Sequence, residues 1–242
     1  MTIKIVLVEP SVPGNIGAAA RVMMNFGFQE LVLINPQTEL TSETYRFAKN
    51  AQEMIDKIQI FDTLEECVKD IPYVIGTTGR IVTDGGSTGA RTAVSSTDPS
   101  LKNVLEFQDD IAILFGREDS GLTNDEINLC DMTIYVPTSD DYRSLNLAQA
   151  IAIICYQLSA LKTTIRKTHY RSAKKEEKEQ LIEWFAKAVS VLGIKDYKSD
   201  HLVRRFRNII GRAFVSGKEA VSLLGVFSRT YNQIKDINED TK

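Results

Sequence analysis

Metal-binding and cross-linking residues are scarce in this chain, whose 242 residues include three cysteines and two histidines. Cys67, Cys130 and Cys155 lie far apart and form no C-x-x-C pair, which argues against a disulfide framework or a zinc cluster and makes them core candidates. His169 and His201 have no Cys, His or carboxylate partner at ligand spacing, so no metal is expected. Long apolar runs are missing too. None approaches the ~20 residues of a spanning helix, and no charged segment followed by an apolar stretch opens the chain, so a cytoplasmic protein without membrane contact is expected. Neither a G-x-G-x-x-G fingerprint with its acidic ribose partner nor a Walker A loop occurs, which argues against a dinucleotide-dependent dehydrogenase. Apolar and charged fractions of 43% and 25% are ordinary, and the length suits a medium domain plus a small one.

The net charge of -3 conceals a division. Residues 1–161 carry 11 Lys and Arg against 22 Asp and Glu, net -11, whereas residues 162–242 carry 18 against 10, net +8. A charge run is often only a solvated face, but the asymmetry places any nucleic-acid contact on the C-terminal part.

The acidic part alternates β-branched runs with helical patterns, the signature of an α/β domain around a parallel sheet. Strands are predicted at 3–8, 31–34, 58–61, 73–77, 111–116 and 133–137. Helices are predicted at 18–26, within 41–56, and at 63–69, 99–107, 123–129 and 145–162. Asp98 before Pro99 is a helix-start signal. The Gly, Ser and Thr-rich stretch 79–97 reads as one long loop. Beyond Thr163 the sequence is charged and helix-forming. Ser172 and Ser199 are candidate caps for two helices, and a third is predicted at 218–235. In the second, Leu202, Val203, Phe206, Ile209, Ile210, Ala213 and Phe214 fall on one stripe, with Arg204, Arg205, Arg207 and Arg212 opposite. The resulting division is a domain at 1–161, a basic linker at 162–172 and a helical extension at 173–242.

Four stretches follow predicted strands, where open α/β sheets bind ligands. "PSVPGNIGAAAR" (10–21) has small residues that permit close approach of a ligand or another backbone, and Arg21 can reach an anion. "GTTGR" (76–80) suits a flexible turn. "FGREDSGLTNDEI" (115–127) crowds Arg117 and Glu118 against a turn, either as a structural pair or as a substrate contact. "VPTSDDYRSLNLAQA" (136–150) sets Ser144 and Asn146 before an apolar helix.

Together and in this order, "NIGAAAR", "GTTGR", "FGREDSGLTNDEI" and "SLNLAQA" resemble the SPOUT superfamily of RNA methyltransferases, specifically its TrmJ-type tRNA 2'-O-ribose enzymes. The resemblance covers residues 3 to about 160. It implies an α/β SPOUT fold with a parallel sheet and a C-terminal trefoil knot, a homodimer, and S-adenosylmethionine as methyl donor with no metal. The cofactor residues it implies are Thr77, Thr78, Gly79, Gly116, Arg117, Val136, Pro137, Arg143, Ser144 and Leu145. It makes Arg21, Ser144 and Asn146 catalytic, and Asn15, Arg21 and Arg80 RNA-binding, joined on charge grounds by Arg204, Arg205, Arg207 and Arg212. The implied reaction is 2'-O-methylation in the tRNA anticodon loop, at nucleotide 32, on cytidine, uridine or both. Methylation of another tRNA position or of ribosomal RNA, and a non-catalytic RNA- or nucleotide-binding module, remain alternatives.

Overall fold

A computed structural model describes residues 2–79, 93–99, 101, 109–162, 171–213 and 215–240. The chain folds as two units, Met1–Thr168 and His169–Lys242. In the first, seven strands form one sheet: β1 (Ile3–Val8), β2 (Glu30–Ile34), β3 (Gln59–Phe61), β4 (Tyr73–Thr77), β5 (Val94–Ser95), β6 (Ile111–Phe115) and β7 (Met132–Tyr135). Their order is β3-β2-β1-β6-β4-β7-β5, and every neighbouring pair is parallel. Continuous apolar runs suit this arrangement because both faces of a parallel sheet are covered: all five residues of β6 are buried, as are four of the five in β2.

Strand β5 corrects the reading of 79–97 as one loop. Val94 and Ser95 pair with Ile134 and Tyr135 and so cover the free edge of β7, which local composition could not reveal. The rest of that stretch, 80–92, lies outside the described residues, as does most of the helix expected at 99–107.

Helices pack on the sheet at positions close to those expected, with one informative shift. Helix α1 (Pro13–Asn25) starts five residues before the expected position 18, because Pro13 presets the first turn and the glycines behind it stay helical. Gly17 is needed where α2 (Ser42–Ala48) crosses, since a Cβ there would overlap the Thr44 carbonyl. The helix expected within 41–56 is broken: Lys49, at φ +52°, ends α2, and α3 (Gln52–Ile55) follows a short 3-10 turn. Helices α4 (Leu64–Val68) and α5 (Asn124–Asn128) are single turns capped by Thr63 and Thr123. Helix α6 (Leu147–Lys162) buries Ile151, Ile154, Cys155 and Leu158.

The second unit holds α7 (Lys175–Ser190), α8 (Asp196–Arg212) and α9 (Gly217–Asp240). Phe185 stacks on Phe206 at a centroid distance of 4.0 Å, and Phe227 meets both edge-on at 5.2 and 5.5 Å. Neither expected serine cap is used. Ser172 bridges to Ser216, and Ser199 lies inside α8 with its hydroxyl bonded back to the Ile194 and Lys195 carbonyls. Arg171 shares Glu177 with the actual N-cap residue of α7, Lys174, whose amide donates to that carboxylate. Its guanidinium spans both carboxylate oxygens of Glu177 at 2.8 and 2.9 Å and lies against Gly217, where a Cβ would overlap it. The predicted stripe of α8 is also split. Phe206 and Ile210 face the bundle, whereas Leu202 and Ile209 are exposed, on the same side as Arg205 and Arg212.

Candidate active site

Strand β4 lies between β6 and β7, so the loops leaving the carboxyl ends of these three strands are neighbours at one edge of the sheet. They carry Thr77, Thr78 and Gly79, then Gly116 and Arg117, then Val136 and Pro137 followed by Arg143, Ser144 and Leu145. Next to β6, β1 is followed by Glu9 and the turn into α1. The strand order changes direction here, where doubly wound sheets place their ligand crevice.

Helices α1 and α6 run side by side in the same direction. Asn15 meets Asn146 at their N-terminal ends, and Phe26 meets Tyr156 edge-on at 6.0 Å about three turns later. Two partly positive helix termini therefore open on the same edge. Asn146 caps α6: its Oδ1 accepts from the Ala148 amide at 2.9 Å, while the Gln149 side chain accepts from the Asn146 amide at 3.1 Å. Its Nδ2 donates to Asn15 Oδ1 at 3.3 Å, and Asn15 Nδ2 donates to Glu118 Oε1 at 2.9 Å. The other oxygen of Glu118 accepts from the Ser11 hydroxyl and amide at 3.1 and 3.3 Å. Burial pushes the Glu118 pKa up, but the bonds from Asn15 and Ser11 outweigh it and hold the carboxyl below the ordinary range. Glu118 is thus a fixed anion that orients Asn15 and, through it, Asn146.

Arg117 takes no part in a pair with Glu118, contrary to one reading of the sequence. Successive side chains at 117 and 118 serve different partners. The Arg117 guanidinium meets Glu9 at 2.7 Å and spans Glu126 at 3.0 and 3.1 Å. Its pKa is raised, first by the bonds to Glu126 and then by those to Glu9. Gly116 packs so tightly on the returning turn that a Cβ would overlap the Gly121 backbone. Thr77 donates to the Leu114 carbonyl at 2.8 Å, a bond joining the ends of β4 and β6. In the last loop Arg143 pairs with Asp140 at 2.6 Å, Ser144 is exposed and Leu145 is half-buried.

Arg21 is exposed on α1, about 9 Å along the helix axis from Asn15. Among the described residues no carboxylate holds it. Arg80 lies outside them. In the second unit Arg204, Arg205 and Arg212 are exposed, while Arg207 is spanned by Glu179 of α7. Glu118, expected either to pair with Arg117 or to touch substrate, instead binds Ser11 and Asn15, partners that local sequence does not name. Its signal was the spacing within "GRE", which puts two charges on opposite sides of one extended step. Among the described residues no cluster of His, Cys, Asp and Glu could hold a metal ion.

The parallel sheet gathers these polar loops and the Asn146–Asn15–Glu118 chain at its switch point, the place of a ligand site in an open α/β fold. Residues 2–156 match the SpoU rRNA methylase family, and the chain belongs to that family of methyltransferases. It is 36% identical to the tRNA (cytidine-2'-O-)-methyltransferase TrmJ of Methanocaldococcus jannaschii over 93% of this chain and 98% of that protein. It is 30% identical to the tRNA (cytidine/uridine/adenosine-2'-O-)-methyltransferase TrmJ of Pseudomonas aeruginosa, over 94% and 93% of the two chains. The crystal structure of TrmJ from Z. mobilis ZM4 superposes with a TM-score of 0.67 at 27% identity, covering 95% of this chain and 99% of that one.

Proposed function

We propose that this protein methylates a ribose 2'-hydroxyl of tRNA, using S-adenosylmethionine as donor, in the anticodon loop at nucleotide 32. The observation that carries this reading is the meeting of Asn15, Asn146 and Glu118 at the paired N-termini of α1 and α6, with Arg21 exposed on the same helix as Asn15 and held by no carboxylate among the described residues. The M. jannaschii and P. aeruginosa relatives support tRNA ribose as the substrate, and their names differ in the bases modified, so base preference is part of what must be measured.

The loop residues suit the donor. S-adenosylmethionine needs neutral hydrogen-bonding groups for its adenosine and tolerates no bare cation beside its sulfonium. Thr77, Thr78, Gly79, Val136, Pro137, Ser144 and Leu145 offer backbone and uncharged side-chain groups, and among the described residues nothing crowds Gly79. The two guanidiniums near them, Arg117 and Arg143, are neutralised by Glu9 and Glu126 and by Asp140. When bound, the cofactor supplies an electrophilic methyl group.

Arg21 grips the phosphate beside the target ribose and stabilises the charge that develops on its 2'-oxygen. A guanidinium stays protonated at working pH and is a poor base, so Arg21 acts through charge and geometry. Ser144 and Asn146 orient the hydroxyl, and alignment of this kind can remove roughly 7 to 11 kcal/mol of entropic barrier. Glu118, both of whose oxygens are bonded, keeps Asn15 and Asn146 in place, and the hydroxyl proton passes to solvent as the 2'-oxygen takes the methyl group. We include in this reading a trefoil knot in the first unit and a homodimer. For the dimer, the exposed Met24 of α1 and Tyr156 of α6 supply apolar surface.

Methyl-labelled S-adenosylmethionine supplied with unmodified total tRNA and, separately, ribosomal RNA tests the reaction, with the 2'-O-methyl nucleotide mapped. Label at nucleotide 32 is expected. Label on ribosomal RNA alone, or none, rejects the reading. Arg21→Lys keeps the charge but loses the fork, and full transfer by that variant rejects a bidentate grip.

A further inference from the structure

We propose that Arg117 is a positioning residue for methyl transfer: its guanidinium locks the loop after β1 to the turn after β6 and so sets the Asn15–Asn146 pair. This rests on the reading of the site as a methyl-transfer centre.

The side chain is 20% exposed and nearly saturated. Of its five N–H groups, Nε serves Glu9, Nη1 serves Glu126 and the Gly121 carbonyl, and Nη2 serves Glu126, which leaves one for any ligand. A guanidinium so occupied is a poor contact for cofactor or RNA. It is well suited to fixing geometry, because removing it would leave two partly buried carboxylates facing each other without a counter-ion.

What it fixes leads to the site. Glu9 has φ +47° and its neighbour Asn35, at the end of β2, has φ +42°; Asn35 Nδ2 donates to Glu9 Oε1 at 3.2 Å. Two non-glycine residues in the left-handed region persist only where their surroundings hold them. Arg117 holds the loop between β1 and α1 at Glu9, and Glu118 holds it at Ser11 and binds Asn15 in the first turn of α1. Glu126 also closes the capping box of α5 with Thr123, so the same carboxylate ties Arg117 to the far side of the turn. Adjacent residues thus clasp the loop that launches α1 and the first turn of that helix, from which Asn146 takes its position.

The test uses the full chain with Arg117→Met, Arg117→Lys, Glu9→Gln and the Arg117→Met/Glu9→Gln double variant. Misplacement by about 1 Å can cost 10²-fold in rate, so Arg117→Met is expected to lower kcat 10- to 100-fold. KM for tRNA and Kd for S-adenosylmethionine should stay within about two-fold. The double variant should be no slower than Arg117→Met, because both changes act through one pair. The side-chain amide 1H–15N signals of Asn15 and Asn146 should move in Arg117→Met and Glu9→Gln alike, a readout that needs no turnover and that Arg117→Lys repeats if the Met variant folds poorly. Unmoved amide signals, additive losses, or weakened cofactor binding at unchanged kcat each overturn the proposal. A wild-type protein that transfers no methyl group while the amide signals remain coupled rejects the proposed function and leaves the positioning intact.

Discussion

Asn146 uses its side chain twice, as the cap of α6 and as the donor to Asn15. These roles separate by substitution. Asn146→Asp keeps a capping oxygen of equal rank but loses the donor and adds a negative charge to a chain that already ends in Glu118. Its stability in urea should stay within about 0.5 kcal/mol of wild type while methyl transfer is lost; Asn146→Ala should cost about 1 kcal/mol as well. Gly17 is a residue whose role the sequence left open between ligand approach and helix packing. The Thr44 carbonyl behind it decides for packing, so Gly17→Ala should destabilise the protein by at least 1 to 3 kcal/mol, read as a lower urea midpoint.

At the scale of elements, the helical unit is closed by a polar clasp that periodicity did not show. Arg171 binds Glu177 across the entrance to α7, and Ser216 and Glu219 form the reciprocal cap of α9. The hydrogen bonds from Arg171 are the main reason that the Glu177 pKa lies at about 2. A carboxyl with a depressed folded pKa adds stability above its unfolded value near 4.3, and that stability is lost as pH falls towards about 2. Trp184, the single tryptophan, lies in α7, so its fluorescence reports this unit. Between pH 4.3 and 2 the urea midpoint seen by Trp184 should fall more steeply in wild type than in Glu177→Gln. Equal slopes would remove the clasp as a source of acid sensitivity. Strand β5 shows the same limit of local reading, since two residues became a strand because β7 offered an edge.

Across the whole molecule, charge is divided between an acidic first unit and a basic second unit. Long-range repulsion of phosphate by the first makes the arginines of the second the expected source of tRNA affinity. The structure ranks them: Arg204, Arg205 and Arg212 are exposed, whereas Glu179 occupies Arg207. Replacing the three exposed arginines by Gln should lower the slope of log affinity against log salt by roughly 2 to 3, at about 0.7 to 0.9 per lost phosphate contact. Arg207→Gln should change that slope least. An unchanged slope in the triple variant would move the RNA surface away from α8.

The sequence by itself determined the parallel α/β unit, the helical extension and the four loops at the strand ends, because apolar periodicity and turn chemistry are local properties of the chain. It also set Asn146 at the mouth of α6, although the helix begins at Leu147 and not at the expected 145. Only the tertiary structure decided who holds whom. It gave Arg117 to Glu9 and Glu126, gave Glu118 to Ser11 and Asn15, and exposed half of the α8 stripe. Three of these four pairings span more than a hundred residues of sequence, and an ionised side chain accepts any suitably placed counter-charge. The choice among them is made by which strand ends the sheet order sets side by side.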